Sequence, residues 1–257
     1  YGGAPSGRED SYFDEVGTGL GPTREFYALV SREFVRADLG LWRSDGTSKV
    51  HGVAYVHAAA GLFPAPHAPP KAVALFHTLG QFVAKALLDA RIIDVPFSPM
   101  FWRIVLGRRV PLTLATLAQV DAPLAASLER LAALPPDEVD ALALDCVLPG
   151  TDTELGTSPV TAASLPGYIE CVIAHTLRDG IAPQVDAFRN GFGAVLPLST
   201  LDVFHSRELV ALFGQSQEDW SEATLRRTLV PDHGFSSDST HFCNGLLYAS
   251  PRPRDTR

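Results

Sequence analysis

The chain has 257 residues, of which 46% are hydrophobic and 19% are charged, and its formal net charge is -8. This length is enough to bury a substantial core in one large domain or two small ones. The acidic balance argues against a nucleic-acid-binding surface, which needs a basic face to neutralise phosphates. No apolar run is long enough to span a bilayer, and the first residues carry no signal-peptide pattern. We therefore expect an intracellular protein, cytoplasmic or nuclear, that is not embedded in a membrane.

The glycine-rich segment near the N-terminus has two interpretations. Glycines at positions 17, 19 and 21 resemble a phosphate-binding loop that opens a helix. Pro22 directly after the third glycine and the absence of a Gly-Lys-Ser/Thr sequence argue against that interpretation. A turn into a helix explains the glycines better, because Pro22 suits the first helical turn. The apolar residues of this helix recur at helical spacing and predict one buried stripe: Phe26, Leu29, Val30 and Phe34.

Helical periodicity continues along most of the chain. A long helix is predicted after Pro69 and ends before Pro96. Ser98 as the N-cap, Pro99 in the first turn and Gly107 after the end predict a short helix. Three further helices are predicted over 164–178, 183–192 and 206–213.

The period changes over Asp140–Gly150. Leu142, Leu144 and Cys146 alternate with small or acidic residues, and this alternation predicts a strand. The predicted fold class is therefore mostly α, of the α+β type, with a small strand element.

The candidate nucleophiles and metal ligands are few. Cys146, Cys171 and Cys243 are odd in number and widely separated, which indicates reduced thiols. The first two are predicted to pack as small hydrophobic residues. The histidines lack ligand spacing, and the common hydrolase, zinc-protease and thiol-redox motifs are missing. The residues alone therefore predict no metal, no cofactor and no recognisable active site.

Six segments in a fixed order carry a resemblance to a known family. They are FDEVGTGLGPTREFYALVSREF, LGLW, FHTLGQFVAKALLDARIIDVPFS, VDAPLAASLERL, QVDAFRNGFGAV and FHSRELVALFG. This series resembles the HECT family of ubiquitin ligases, and most closely its ubiquitin-fusion-degradation and thyroid-receptor-interacting branch. The resemblance implies a helix-rich N-lobe that binds a ubiquitin-conjugating enzyme and a smaller C-lobe with a catalytic cysteine. It also implies ubiquitin transfer to substrate lysines through a cysteine thioester, without a metal or organic cofactor.

The family pattern also divides the chain into regions. It implies an upstream linker at 1–11, an N-lobe at 12–214 with a small enzyme-binding subdomain at 122–180, a hinge at 215–218, the start of a C-lobe at 219–240 and a divergent tail at 241–257. Because the first residue is Tyr1, we expect the chain to begin within a longer polypeptide.

The family's Thr-Cys motif has no counterpart in this chain. Cys243 lies too early in the pattern to replace the family nucleophile, so we expect that the chain by itself forms no ubiquitin thioester. Two functions stay open: a truncated HECT ligase, or a non-catalytic module that binds ubiquitin-conjugating enzymes. The partners implied are the conjugating enzyme, ubiquitin, and substrates chosen by upstream regions, with no nucleic acid and no membrane.

The resemblance places the enzyme-binding site in an apolar groove of the small subdomain. The positions that match this groove are Leu124, Leu128, Leu131, Leu142, Leu144, Tyr168 and Val172. For each leucine taken singly, ordinary core packing is an equally good explanation. Tyr168 matches an aromatic anchor, the residue type that contributes most at binding hot spots.

Overall fold

A computed structural model of the chain describes residues 20–66, 68–150, 153–156 and 159–213. These residues belong to one compact unit. The predicted linker, hinge, C-lobe start and tail lie outside the described residues, and so do Cys243 and most of the glycine-rich segment.

Helices dominate the described residues, and the prediction of a mostly α chain with a small strand element is confirmed. The helices are α1 (Leu20–Phe34), α2 (Pro70–Leu88), α3 (Pro99–Val105), α4 (Leu114–Leu117), α5 (Ala122–Ala132), α6 (Pro136–Ala141), α7 (Leu165–Leu177), α8 (Ala182–Gly193) and α9 (Ser206–Phe213). The strands β1 (Gly46–Val50) and β2 (Val53–His57) form an antiparallel hairpin. Within these ranges no helix is long and apolar enough to cross a membrane.

The centre of the fold is the crossing of α2 and α8. A Cβ atom on Gly80 of α2 would collide with the carbonyl oxygen of Phe188, and one on Gly191 of α8 would collide with that of His77. The two helix backbones therefore approach more closely than side chains would allow. Aromatic rings from α3 fill the space beside this crossing, with the Phe101 ring centroid 5.1 Å from that of Phe188.

The predicted boundaries of α3 are confirmed. The Ser98 side chain accepts a hydrogen bond of 3.0 Å from the Phe101 N–H, which satisfies a donor that the helix leaves open. Trp102 is fully buried and stacks on Phe213 of α9, with ring centroids 5.0 Å apart. Gly107 has a φ of 67°, as a helix-ending glycine requires. The long helix predicted after Pro69 is α2, and the helices predicted over 164–178, 183–192 and 206–213 are α7, α8 and α9. These predictions are confirmed.

The predicted buried stripe of α1 is wrong for two residues. Phe26 and Leu29 are 41% and 49% exposed, whereas Tyr27 and Ser31 are buried. The Tyr27 hydroxyl donates a hydrogen bond of 2.7 Å to the Asp89 carboxylate, just after α2. This polar contact favours a rotation of α1 that points tyrosine and serine inward, because a helix cannot bury both faces at once.

The β1–β2 hairpin is missing from the sequence-based predictions. Its turn is His51–Gly52, with φ angles of 50° and 84°, and Val50 pairs with Val53 across it. A two-residue turn with positive φ at both positions matches the right-handed twist of the strands. The signal that could have revealed it is a histidine-glycine pair between valines, with Val50 and Val53 on either side.

Candidate docking surface on α5, α6 and α7

The start of α5 is fixed by one carboxylate. Asp121 accepts a hydrogen bond of 2.9 Å from the Leu124 N–H and thereby caps the helix. The other oxygen of the carboxylate receives the Arg43 Nε at 2.7 Å, and the same guanidinium donates to the Val120 carbonyl at 2.7 Å. Because Arg43 lies in the segment before the β1–β2 hairpin, this contact links the start of α5 to a segment far away in the sequence.

The strand predicted over Asp140–Gly150 is not formed. Helix α6 continues to Ala141, Leu142 caps it, and Ala143 takes a φ of 45°. Pro136 in the first turn and the acidic residues that follow it favour a helix, and this local preference outweighs the alternation farther along. Leu142 therefore lies in a turn and Leu144 in an extended segment, and neither lies in a strand.

The extended segment 144–148 still forms strand-like hydrogen bonds. Its carbonyls accept from Leu155 and Val160: the Leu155 N–H binds the Cys146 carbonyl at 2.7 Å, and the Val160 N–H binds the Leu144 carbonyl at 2.7 Å. A single bridge joins Val147 to Glu154. The alternation was therefore a correct sign of extended backbone, although too few pairs form to make a strand.

Tyr168 on α7 holds this segment in place. Its hydroxyl donates a hydrogen bond of 3.1 Å to the Val147 carbonyl, and the residue is only 7% exposed. Burial raises the pKa of the Tyr168 phenol above its ordinary value, and the nearby Cys146 thiol raises it further. Most of this side chain is thus used inside the protein, and only its small exposed part can meet a partner.

The seven residues predicted for the groove separate into two groups. Leu142 is 54% exposed, and Leu124, Leu131 and Leu144 are partly buried against the core. Val172, Leu128 and Tyr168 are 0%, 3% and 7% exposed.

Val172 and Leu128, which were predicted for the groove, are buried. Both side chains belong to the hydrophobic core, so a direct contact would require the α5–α7 region to open. For these two positions the burial favours core packing, and a role in binding stays a prediction. We call the remaining set, which is the candidate for enzyme binding, the docking surface; it comprises Leu124, Leu131, Leu142, Leu144 and the exposed part of Tyr168.

One residue of this region was not among the site residues predicted from the sequence. Leu155 is partly buried against the core, and its N–H pairs with the segment that carries Leu144. Its signal is a single leucine between Glu154 and Gly156 in an otherwise polar stretch. Leu155 therefore lies next to the docking surface.

The cysteines of the described part differ from each other. Cys146 is buried, as predicted, and a Cβ atom on Gly156 would lie 3.1 Å from its sulfur. Cys171 on α7 is exposed, so the prediction that it packs as a small hydrophobic residue is wrong. Among the described residues, no group of three or more histidine, cysteine, aspartate or glutamate side chains could hold a metal ion.

Comparison with known proteins defines the class of protein. The sequence profile of the HECT-domain (ubiquitin-transferase) family matches residues 28–244. The chain therefore belongs to the HECT family of ubiquitin-protein ligases.

Individual relatives narrow the branch. A probable ubiquitin fusion degradation protein of Schizosaccharomyces pombe is 41% identical in an alignment 253 positions long, which covers 90% of this chain and 15% of that protein. Ubiquitin fusion degradation protein 4 of Saccharomyces cerevisiae is 35% identical over 93% of this chain and 18% of its own length. The E3 ubiquitin-protein ligase TRIP12 of Danio rerio is 34% identical over 90% of this chain and 14% of its own length. The chain thus spans less than a fifth of each of these relatives, and the resemblance drawn from the six segments is confirmed.

The role of the Tyr168 hydroxyl can be measured. Tyr168→Phe removes the hydrogen bond to the Val147 carbonyl and leaves the ring in place, so we expect a loss of about 1 kcal/mol in the free energy of unfolding. The raised phenol pKa means that the folded state holds this proton more tightly than the unfolded state. The contribution is therefore complete below the ordinary tyrosine pKa and is lost as the pH rises through the folded-state pKa. Unfolding curves of both proteins at neutral and alkaline pH check this, and equal stability at neutral pH would contradict it.

Proposed function

We propose that this chain is the part of a HECT ubiquitin ligase that binds the ubiquitin-conjugating enzyme. The whole protein would then transfer ubiquitin to substrate lysines through a thioester on a cysteine that is not among the three in this chain. Family membership supports the class of reaction. We extend the proposal to ubiquitin as a partner and to a cytoplasmic or nuclear location.

The observation that carries the proposal is the exposure of Leu142. Among the described residues of the α5–α7 region, Leu142 is the one large apolar side chain that is exposed. Partly buried leucines lie in the same region. A leucine at 54% exposure forgoes about half of the free energy of burial, which is about 2 kcal/mol for a complete side chain. A partner that covers it recovers this free energy.

The backbone around Leu142 is held rigidly. Its N–H donates to the carbonyls of Glu138 at 3.1 Å and Val139 at 3.2 Å. The Asp140 carboxylate accepts a hydrogen bond of 2.8 Å from the Ala162 N–H, which ties the end of α6 to the approach of α7. Presenting an apolar anchor on a fixed backbone reduces the entropy lost on binding.

The test is the affinity of Leu142→Asp for a ubiquitin-conjugating enzyme that serves HECT ligases. We expect at least tenfold weaker binding by calorimetry, equivalent to about 1.4 kcal/mol, because a charge replaces the apolar anchor. Val203→Asp is the matched control, since Val203 is 79% exposed and lies outside α5–α7. Thermal unfolding of both variants should match the original chain. Unchanged affinity of Leu142→Asp, or an equal loss in Val203→Asp, would refute the docking surface.

A further inference from the structure

A second surface feature lies away from the docking surface. It is a cleft of about 310 Å³, and its lining comes from α8, the ends of α3 and α7, and two connections of the chain. One connection runs from α3 to α4 and contributes Arg108 and Leu112, and the other runs from α7 to α8 and contributes Arg178. None of the docking-surface leucines lines this cleft.

The floor of the cleft is apolar. Leu177 and Val185 are 2% and 3% exposed, and both lie at its base. Leu112 at the edge is 38% exposed. A large aliphatic or aromatic side chain placed here would cover Leu112 and extend the buried core, which makes the contact favourable.

The rim of the cleft is positively charged. Arg108 donates to the Phe204 carbonyl at 2.5 Å, and no carboxylate among the described residues lies within ion-pair distance of it. Arg189 donates to the Val105 carbonyl at 2.8 Å. Backbone carbonyls satisfy these donors without neutralising the charges, so the Arg108 guanidinium keeps most of its field.

Two carboxylates only partly offset this field. Asp186 approaches Arg189 at 3.6 Å, and Asp179 pairs with Arg178 at 2.7 Å on an exposed part of the surface. The cleft contains three arginines and one aspartate in its lining, whereas the chain as a whole carries a net charge of -8. An acidic ligand is therefore attracted to this cleft, in contrast to the average charge of the chain.

We propose that the cleft binds an acidic segment of a partner protein, with one large apolar side chain of that segment inserted between Leu112 and Val185. Carboxylates on either side of that side chain meet Arg108, Arg178 and Arg189. A compact inorganic anion would satisfy the arginines and leave the apolar floor uncovered. A basic partner would meet three positive charges. This site goes beyond the proposed enzyme docking and does not depend on it.

The test uses a fluorescein-labelled peptide in which aspartates and glutamates flank a central leucine-phenylalanine pair. Anisotropy with the whole 257-residue chain should show sub-millimolar binding that weakens as salt is added. Arg178→Glu should weaken the binding at least tenfold. The variant should fold normally, since the Arg178 side chain is 62% exposed and its ion pair is with the adjacent Asp179. Leu112→Asp should weaken the binding similarly. Should Leu112→Asp fail to fold, Arg178→Glu decides the question alone.

Matched controls separate this site from general attraction between charges. Arg32→Glu makes the same charge change at an exposed position on α1, and it should alter the affinity less than twofold. A peptide with serines in place of the central leucine-phenylalanine pair should bind at least tenfold more weakly. Equal losses in Arg32→Glu and Arg178→Glu, undiminished binding of the serine peptide, or displacement by millimolar inorganic phosphate would each overturn the proposal. Self-association of the chain that Leu112→Asp abolishes would assign the cleft to a second copy and overturn it too.

Discussion

Gly80→Ala is expected to destabilise the chain by about 3 kcal/mol or more, although alanine is the better helix former. An added Cβ atom would collide with the carbonyl oxygen of Phe188 and lie 2.7 Å from the Phe192 nitrogen. Both atoms belong to the backbone of α8, so no side-chain rotation can relieve the contact. The helices would have to separate, and the aromatic cluster next to them would lose contacts. Chemical denaturation with a fitted midpoint and slope measures this change.

Gly193→Ala provides the matched control on α8. No atom lies within 4 Å of a Cβ placed at Gly193, and the position is exposed. Alanine there should leave the stability unchanged or raise it by up to about 1 kcal/mol. If Gly80→Ala and Gly193→Ala gave the same free energy of unfolding, the close crossing of α2 and α8 would be wrong.

Asp121→Ala is the second change for which we expect a large loss, about 3 kcal/mol in the free energy of unfolding. The substitution removes the cap of α5 and leaves the Arg43 guanidinium without its closest carboxylate. Both side chains are mostly buried, with 11% and 19% of their surface exposed, so water replaces the lost contacts poorly. Asp45 at 3.2 Å stays as a more distant partner and limits the loss.

Two variants divide this effect into its parts. Asp121→Asn keeps a side-chain oxygen for the Leu124 N–H and removes the charge, so it should cost less than Asp121→Ala. Asp38→Ala breaks an ion pair of the same 2.7 Å length between exposed side chains, with Arg36, and should change the stability little. An Asp38→Ala loss as large as that of Asp121→Ala would show that burial does not set the strength of these contacts.

Helix positions followed directly from local chemistry. Ser98 and Pro99 predicted the start of α3 to the residue, because capping depends on atoms only three residues apart. Periodicity likewise located α7 and α8. The family resemblance depended on the order of six segments, and the match over residues 28–244 confirmed it.

The rotation of α1 about its axis and the exposure of individual side chains did not follow from local chemistry. Phe26 and Tyr27 are equally suited to a core, and contacts with another part of the chain, including the carboxylate of Asp89, favour burying the tyrosine. Leu128 and Leu142 look alike in sequence, yet one is 3% and the other 54% exposed. Their difference depends on what packs against each, and sequence spacing does not encode that.

The amino-acid sequence by itself determined the family, the helical class and the limits of α3, α7, α8 and α9, since these depend on residue order, caps and periodicity over a few turns. The tertiary structure decided which leucines of the predicted groove are exposed and which are buried, because exposure is set by residues far apart in the chain. It also brought arginines from α8 and from two separate connections to one apolar cleft. Contacts between distant segments have no local signature, and that is why both surfaces became visible only in the folded chain.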